Sequence, residues 1–336
     1  MNTLGQLALA ENLSGHSPAE TLHRMIQIPA TKRADVAMKM WAALTLNLPE
    51  KAFSFTSPKF NTLPYDSLSR FYKPDLDARL AELPALKGAW PRPDTGPVIY
   101  AAASGDYAEI FAQDFVSSVL SKSPDAAVHL HVMNPAGYDA AEALGGFPKS
   151  RLTWSFEDIG DCPKTLYSTR RFVRLAQFIL GVEQRFMAVD VDSVFNGDAS
   201  LALGELGAFD VALYPREREP FANQMVSAGV IALSPTTGGR DFAQFLAAYI
   251  LHFDSLGTSQ WFLDQLAIVS ARAWFNNNAA GVIIKNMPQN TIDWSEHYRH
   301  DSLIWTLKGG EKTNIIREGV RGDSFSPADQ RLPGVT

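Results

Sequence analysis

The chain has 336 residues, 46% hydrophobic and 20% charged, with a formal net charge of −6 and a pI near 5.7. That is the profile of an ordinary globular protein with core material for one large or two modest domains, and it lacks the dense basic face a nucleic-acid partner requires. The single Cys162 excludes an internal disulfide framework and a thiolate zinc site.

The opening residues, Met1-Asn2-Thr3-Leu4-Gly5-Gln6, lack the basic start and apolar core of a signal peptide, and no stretch approaches the roughly 20 apolar residues that span a bilayer. A cytoplasmic location is expected. Ser17-Pro18-Ala19-Glu20 combines an N-cap hydroxyl, a proline at the first helical position and a glutamate placed to close a capping box, with Leu22, Met25 and Ile26 on one face behind it. A second helix is expected over Ala34–Leu46, with Val36, Met40, Ala43 and Leu44 forming a stripe. This helical region reads as a packing or dimerising appendage. It ends at Gly88-Ala89-Trp90-Pro91-Arg92-Pro93-Asp94-Thr95-Gly96-Pro97, where proline and glycine forbid a helix or a central strand.

Beyond that boundary the pattern alternates. Val98–Ala102 reads as a strand, Tyr107–Leu120 as a helix with Phe111, Phe115 and Val119 inward, and Val128–Val132 as the next strand, which is a βαβ start with a parallel sheet. A helix over Ser168–Leu180 leads into the apolar run Phe186-Met187-Ala188-Val189. Downstream come a strand over Val226–Leu233, an aromatic-rich helix over Arg240–Phe253, a helix over Trp261–Ser270 and a late strand at Val282-Ile283-Ile284.

Asp190-Val191-Asp192 stands directly after the apolar run, where a buried strand stops and polar chemistry begins. Carboxylates at i and i+2 can reach one hard cation if the backbone leaves its pleat there. A Mg²⁺ or Mn²⁺ so held keeps positions open for phosphate oxygens. Two readings compete. In one, Asp190 is a nucleophile forming an aspartyl phosphate and Asp192 its general acid–base, the pattern of haloacid-dehalogenase-type phosphatases. That family places its motif on the first strand and needs a later acidic pair. Here two strands and two helices precede the motif, and the only later candidate, Gly322-Asp323 with Asp329, has the wrong spacing.

In the other reading the acids serve a sugar nucleotide. The region from Val98 to Lys312 resembles GT-A glycosyltransferases, most closely the family-8-like retaining enzymes, in a series of separated pieces in the right order. The segment Ala101-Ala102-Ala103-Ser104-Gly105-Asp106-Tyr107 is similar to the nucleoside-holding turn, which implies that Asp106 accepts from base or ribose and Tyr107 packs on the base. Phe172-Val173-Arg174 is similar to the aromatic-x-arginine element, implying that Arg174 binds the nucleotide donor or fixes a carboxylate, while Arg170 and Arg171 read as solvated surface charges. Asp190-Val191-Asp192 resembles the D-x-D motif, with Asp192 the more direct metal ligand. Ser227-Ala228-Gly229 stands where the family has asparagine-alanine-glycine, and Gly229 allows close approach to the donor sugar.

Asp264-Gln265 matches the aspartate–glutamine pair at the donor sugar and its anomeric carbon, and an acid inside an apolar helix is costly without partners. Trp305-Thr306-Leu307-Lys308-Gly309-Gly310-Glu311-Lys312 resembles the terminal H-x-x-G-x-x-K element, with Lys308 and Lys312 set to neutralise the leaving diphosphate and Gly309 freeing backbone N–H groups. Thr306 replaces the histidine metal ligand, which leaves the two aspartates, phosphate and water, or else His297 or His300, as ligands.

The resemblance implies an α/β, mostly parallel GT-A sheet with flanking helices over 96–317, a helical region and proline-rich linker over 1–95, and a polar tail over 318–336. It implies retaining transfer of a hexose, from UDP first, assisted by Mn²⁺ or Mg²⁺, to a glycan, lipid-linked sugar or protein. A sugar-nucleotide fold without catalysis is the third reading, and Thr306 and Ser227 are the departures that motivate it.

Overall fold

The computed structural model describes residues 74–91, 96–135, 137–216, 226–255, 262–279, 281–294 and 301–306, with Glu20 and Gln27. The expected helices near Ser17 and over Ala34–Leu46, His297, His300, Lys308, Gly309, Lys312 and the tail lie outside these residues.

The centre of the sheet is β2 (Val98–Ser104), which pairs in parallel with β3 (Ala127–Met133) on one side and β5 (Phe186–Asp190) on the other. Beyond β3 lies β4 (Leu152–Glu157), also parallel, edged by the antiparallel β1 (Lys87–Gly88). Beyond β5 come β8 (Val226–Leu233), antiparallel, then β7 (Val211–Pro215) and β9 (Ile284–Asn286). The order is β1-β4-β3-β2-β5-β8-β7-β9, and only β1 and β8 oppose the common direction. The mostly parallel α/β class agrees with the expectation from sequence. The reversal of β8, wedged between β5 and β7, is not evident in the sequence.

Alternation along β2 divides the core between the two faces of the sheet. Among the helices, α1 (Pro74–Ala81), α3 (Ala140–Ala143) and α5 (Ala199–Glu205) are short, and the longer ones cover the two faces. Val98 and Tyr100 point to one face, against α4 (Lys164–Phe178), α6 (Thr237–Ser255) and α7 (Leu263–Asn278). Ile99, Ala101 and Ala103 point to the other, against α2 (Gly105–Lys122). The aromatics of α6 belong to the first core, as the sequence suggests: Phe242, Phe245, Tyr249 and Phe253 are all buried. Each such side chain contributes on the order of 1.5–3 kcal/mol. Residues 74–91 pack on the same body: Leu76 of α1 enters this core, and Trp90 meets the Phe178 ring edge-on at 5.2 Å.

A second, three-stranded sheet is formed by β10 (Ile292–Asp293), β11 (Ile304–Thr306) and β6 (Ser193–Phe195), with Thr306 opposite Ser193. No described helix is long and apolar enough to cross a membrane.

The chain steps from β2 through β3 to β4 in one direction, then returns through α4 to place β5 on the other side of β2. Such a reversal opens a crevice outside the carboxyl ends of the two strands, where open α/β sheets bind ligands. Ser104–Tyr107 and Asp190–Asp192 stand at those two ends.

Candidate active site

Residues Phe186–Val189 are fully buried, but the Asp190 side chain keeps 40% of its exposure. The backbone then leaves the pleat through buried Val191 and Asp192 and re-enters extended structure at Ser193. Strict strand alternation would set Asp190 and Asp192 on one face, two residues apart, and the turn at Val191 and Asp192 releases them from that spacing. Because β11 sets Thr306 against Ser193, the Thr306 hydroxyl reaches the Asp192 carbonyl at 3.3 Å and its Oδ1 at 3.4 Å.

Arg171 organises the other side. Its Nη1 donates to Asp190 Oδ1, while Nη2 donates to the Ala228 carbonyl at 2.8 Å and lies 3.5 Å from Asp264 Oδ2. One buried guanidinium thus joins α4, β5, β8 and the first turn of α7. The Tyr100 hydroxyl donates to the Arg171 carbonyl at 3.0 Å, fixing the helix over the sheet. Burial opposes the Arg171 charge, but Asp190 and Asp264 outweigh it and raise its pKa. At Asp264 burial wins: it pushes the carboxyl up, and Arg171 and the Gln265 N–H recover only part of the shift.

Two expectations from sequence are corrected here. Arg170 and Arg171, read as solvated charges, are both buried. Arg174, read as the donor arginine, is committed elsewhere: it donates to Glu157, to Gln177 Oε1 at 2.6 Å and to the Pro84 carbonyl at 2.6 Å. The physical reason is that α4 is covered on several sides, so that every residue from Thr169 to Ala176 is buried. A helix with no solvent face presents arginines in several directions at once.

Gly229 lies one step past the paired residues Val189 and Val230, beside Asp190. A Cβ there would lie 3.0 Å from Asp190 Oδ2 and 3.2 Å from Ser227 Oγ, so any side chain would make both give by a few tenths of an ångström, whereas glycine leaves the carboxylate where it stands. Ser227 Oγ accepts the Gly229 N–H at 3.0 Å. Asp264 is aimed by Phe262, whose left-handed backbone (φ +75°) turns the chain into α7 and whose carbonyl accepts the Leu266 N–H at 3.0 Å. A bulky residue in that region costs of order 1–3 kcal/mol, the kind of strain found at functional sites. Asp264 Oδ1 accepts the N–H of half-buried Gln265 at 2.8 Å.

At the end of β2, Ala102 is in register with Asp190, while Asp106 and Tyr107 are exposed on the first turn of α2. Tyr107 packs against Phe111 with ring centroids 4.9 Å apart. Their neighbour Asn134 has φ +50° and ties down the loop after β4, accepting the Ile159 N–H at 2.7 Å and donating to the Gly160 carbonyl at 2.7 Å. Asp190, Ser227, Gly229 and Asp264 thus come together with Arg171, Ala102 stands in register beside Asp190, Val191, Asp192 and Gln265 are next to them in sequence, and Arg174 does not join them.

Sequence reading also missed a buried polar chain across β3 and β4. Thr153 Oγ1 meets His129 at 2.8 Å, and His129 and His131 meet the Ser155 hydroxyl at 3.0 and 2.9 Å. His131 then meets Glu157 at 3.0 Å, and Glu157 receives Arg174. Polar residues at alternate positions, His129 and His131 on one strand and Thr153, Ser155 and Glu157 on the next, were the signal. Burial holds both histidines neutral, His129 more strongly. Burial pushes Glu157 up, yet hydrogen bonds from His131 and Arg174 bring it down to about 2.

The described residues by themselves do not make up a metal cage. Among the described residues no three His, Cys, Asp or Glu side chains converge as a ligand set, and one oxygen of Asp190 is taken by Arg171.

No family model matches the chain, and no curated protein matches it. Among solved structures it is similar to the bifunctional glycosyltransferase WbbM in its apo form, at 12% identity and a TM-score of 0.48, over 70% of this chain and 51% of that one. It therefore spans about half the length of WbbM. It is also similar to the galactosyltransferase LgtC in complex with donor and acceptor sugar analogues, at 13% identity and a TM-score of 0.44, over 66% of this chain and 95% of that one. A third likeness is to an active-site mutant of LgtC, at 15% identity and a TM-score of 0.41, over 63% of this chain and 88% of that one.

Proposed function

We propose that the chain is a glycosyltransferase that moves a hexose from a nucleotide-diphosphate sugar, UDP-hexose first, to an acceptor with retention of configuration. The observation that carries the reading is the convergence of Asp190, Asp264 and Gly229, drawn from three elements, around one buried guanidinium at the sheet's reversal point. A sugar presents hydroxyls, and ionised carboxylates accept from them in a fixed geometry only when something holds the carboxylates still. Arg171 does that here.

In this reading the nucleoside lies along Ala102, Asp106 and Tyr107, and the diphosphate lies towards Asp192, with Lys308, Gly309 and Lys312 as its further partners by resemblance. Asp190 and Asp264 accept from donor-sugar hydroxyls, and Gln265 faces the anomeric carbon. As the bond from that carbon to the diphosphate oxygen breaks, its electron pair passes to the diphosphate and the ring gains oxocarbenium character. The fixed carboxylates stabilise that growing positive charge without reorganising. The acceptor oxygen bonds to the anomeric carbon on the same face, and its proton passes to the departing diphosphate. A phosphatase nucleophile is disfavoured at Asp190, where Arg171 holds one oxygen and the glycine strand abuts the other.

Calorimetric titration with UDP, with and without Mn²⁺, tests the proposal. Binding by the wild type that Asp192→Ala abolishes is the expected result, and no binding in either condition overturns it.

A further inference from the structure

Arg171 and Arg174 donate to carboxylates, but Arg170, on the same helix, does not. Its side chain keeps 9% of its exposure, and its buried Nε and Nη1 meet no acceptor among the described residues. Glu157 is the one described carboxylate in ion-pair range, with Oε1 3.9 Å from Nε, too far for a hydrogen bond. That carboxylate is already engaged: His131 meets Oε1 at 3.0 Å, and Arg174 donates to Oε2 from both Nε and Nη2. Because burial holds His131 neutral, two guanidiniums share one negative charge. Burial lowers the Arg170 pKa against the pull of Glu157; Arg174 lowers it further, and Asp254 at the end of α6 and Cys162 raise it by less. A buried guanidinium with unmade hydrogen bonds is costly, and it is also the group best suited to an oxyanion.

Its position sets it apart from the nucleotide. Glu157 ends β4, which runs parallel to β3 and β2, so Arg170 lies at the end of the sheet where the crevice opens. Glu157 and Asp190 end strands three places apart, about 14 Å at the usual spacing. Neighbouring helical residues diverge by about 100°, so Arg170 faces Glu157 while Arg171 faces Asp190 and Asp264.

We propose that Arg170 forms an anion site distinct from that of the diphosphate, and that it takes a phosphate or carboxylate group carried by the sugar acceptor. The oxyanion accepts from the unpaired N–H groups and supplies the negative charge that Glu157, shared with Arg174, does not. The acceptor clause rests on the transferase reading, while anion binding by the free protein does not.

Thermal unfolding of the full chain in inorganic phosphate, against sodium chloride at equal ionic strength, tests this without turnover. The wild type should gain melting temperature saturably with phosphate, and should still do so with UDP present. Arg170→Met should weaken that response by about 10-fold or more, the scale of one charge-assisted hydrogen bond. In chloride alone the same variant should melt no lower than the wild type, because it removes a buried, under-compensated charge. A response that Arg170→Met leaves intact, or that UDP abolishes, overturns the inference. So does a clear fall in melting temperature in chloride, which would make Arg170 a structural partner of Glu157. Broadening of the phosphate phosphorus-31 resonance by wild-type protein needs no variant, and its absence also overturns the inference. Glucose 6-phosphate and glucuronate separate the two anions: at least one should displace phosphate where glucose does not, and failure of both overturns the acceptor clause. Failure of UDP to bind overturns the transferase reading, and the phosphate titrations still decide the claim about the free protein.

Discussion

Replacing Arg171 with methionine keeps the bulk of the stem and removes the charge that Asp190 and Asp264 share. Breaking a buried ion pair on one side costs roughly 3–5 kcal/mol, because the remaining charge is left without compensation. The two acids do not lose equally. The Asp190 side chain is 40% exposed and rehydrates, whereas the Asp264 side chain is 9% exposed and does not. The expected loss therefore lies near the lower end, about 3 kcal/mol at neutral pH. Its pH dependence identifies the cause. Burial already raises the Asp264 pKa in the folded protein, so the folded state binds that proton more tightly than the unfolded chain. A group shifted in this direction costs nothing well below its unfolded pKa, and the cost grows as pH rises through the folded value. Without Arg171 the folded value climbs further, at about 1.4 kcal/mol per unit. The variant should lose most stability near about pH 8 and recover part of it near about pH 5. Urea unfolding followed by tryptophan fluorescence at both values measures this. A loss below about 1 kcal/mol, or one independent of pH, would refute the buried arginine–aspartate network as the organiser of the site.

Gly229→Ala puts a methyl group 3.0 Å from Asp190 Oδ2, so the carboxylate must give way. UDP-glucose hydrolysis should fall by about 10-fold, in line with the steep cost of misplacing reacting groups; unchanged hydrolysis would show that Asp190 is not held where the reaction needs it. Acid should unfold the protein early. His129 and His131 sit below the ordinary histidine value and Glu157 at about 2, so stability present at neutral pH is lost as pH falls first through the histidine range and then through the carboxylate range. Glu157→Gln should flatten the lower part of that profile in urea midpoints, and a flat wild-type profile between about pH 7 and about pH 4 would remove the network from the account of stability.

The parts of the fold that sequence disclosed are those with one dominant period. Strands β2 and β5 are apolar runs up to their last residue because helices cover both faces of the sheet, and the strand over Val226–Leu233 was legible to its bounds. Its direction was not, since an antiparallel strand buried on both faces has the same composition as a parallel one. Short strands such as β6, β10 and β11 carry too few residues to show a period, although β11 is what delivers Thr306 to Asp192.

At the site, the acids were legible because a carboxylate at a buried strand end or inside an apolar helix conflicts with its surroundings, and such conflicts mark function. The arginine was misassigned for the complementary reason. Arg170, Arg171 and Arg174 are equally anomalous once α4 is buried all round, and composition gives no way to rank them. Only the tertiary arrangement does so. Glu157 at the end of β4 claims Arg174, and Asp190 with Asp264 claims Arg171.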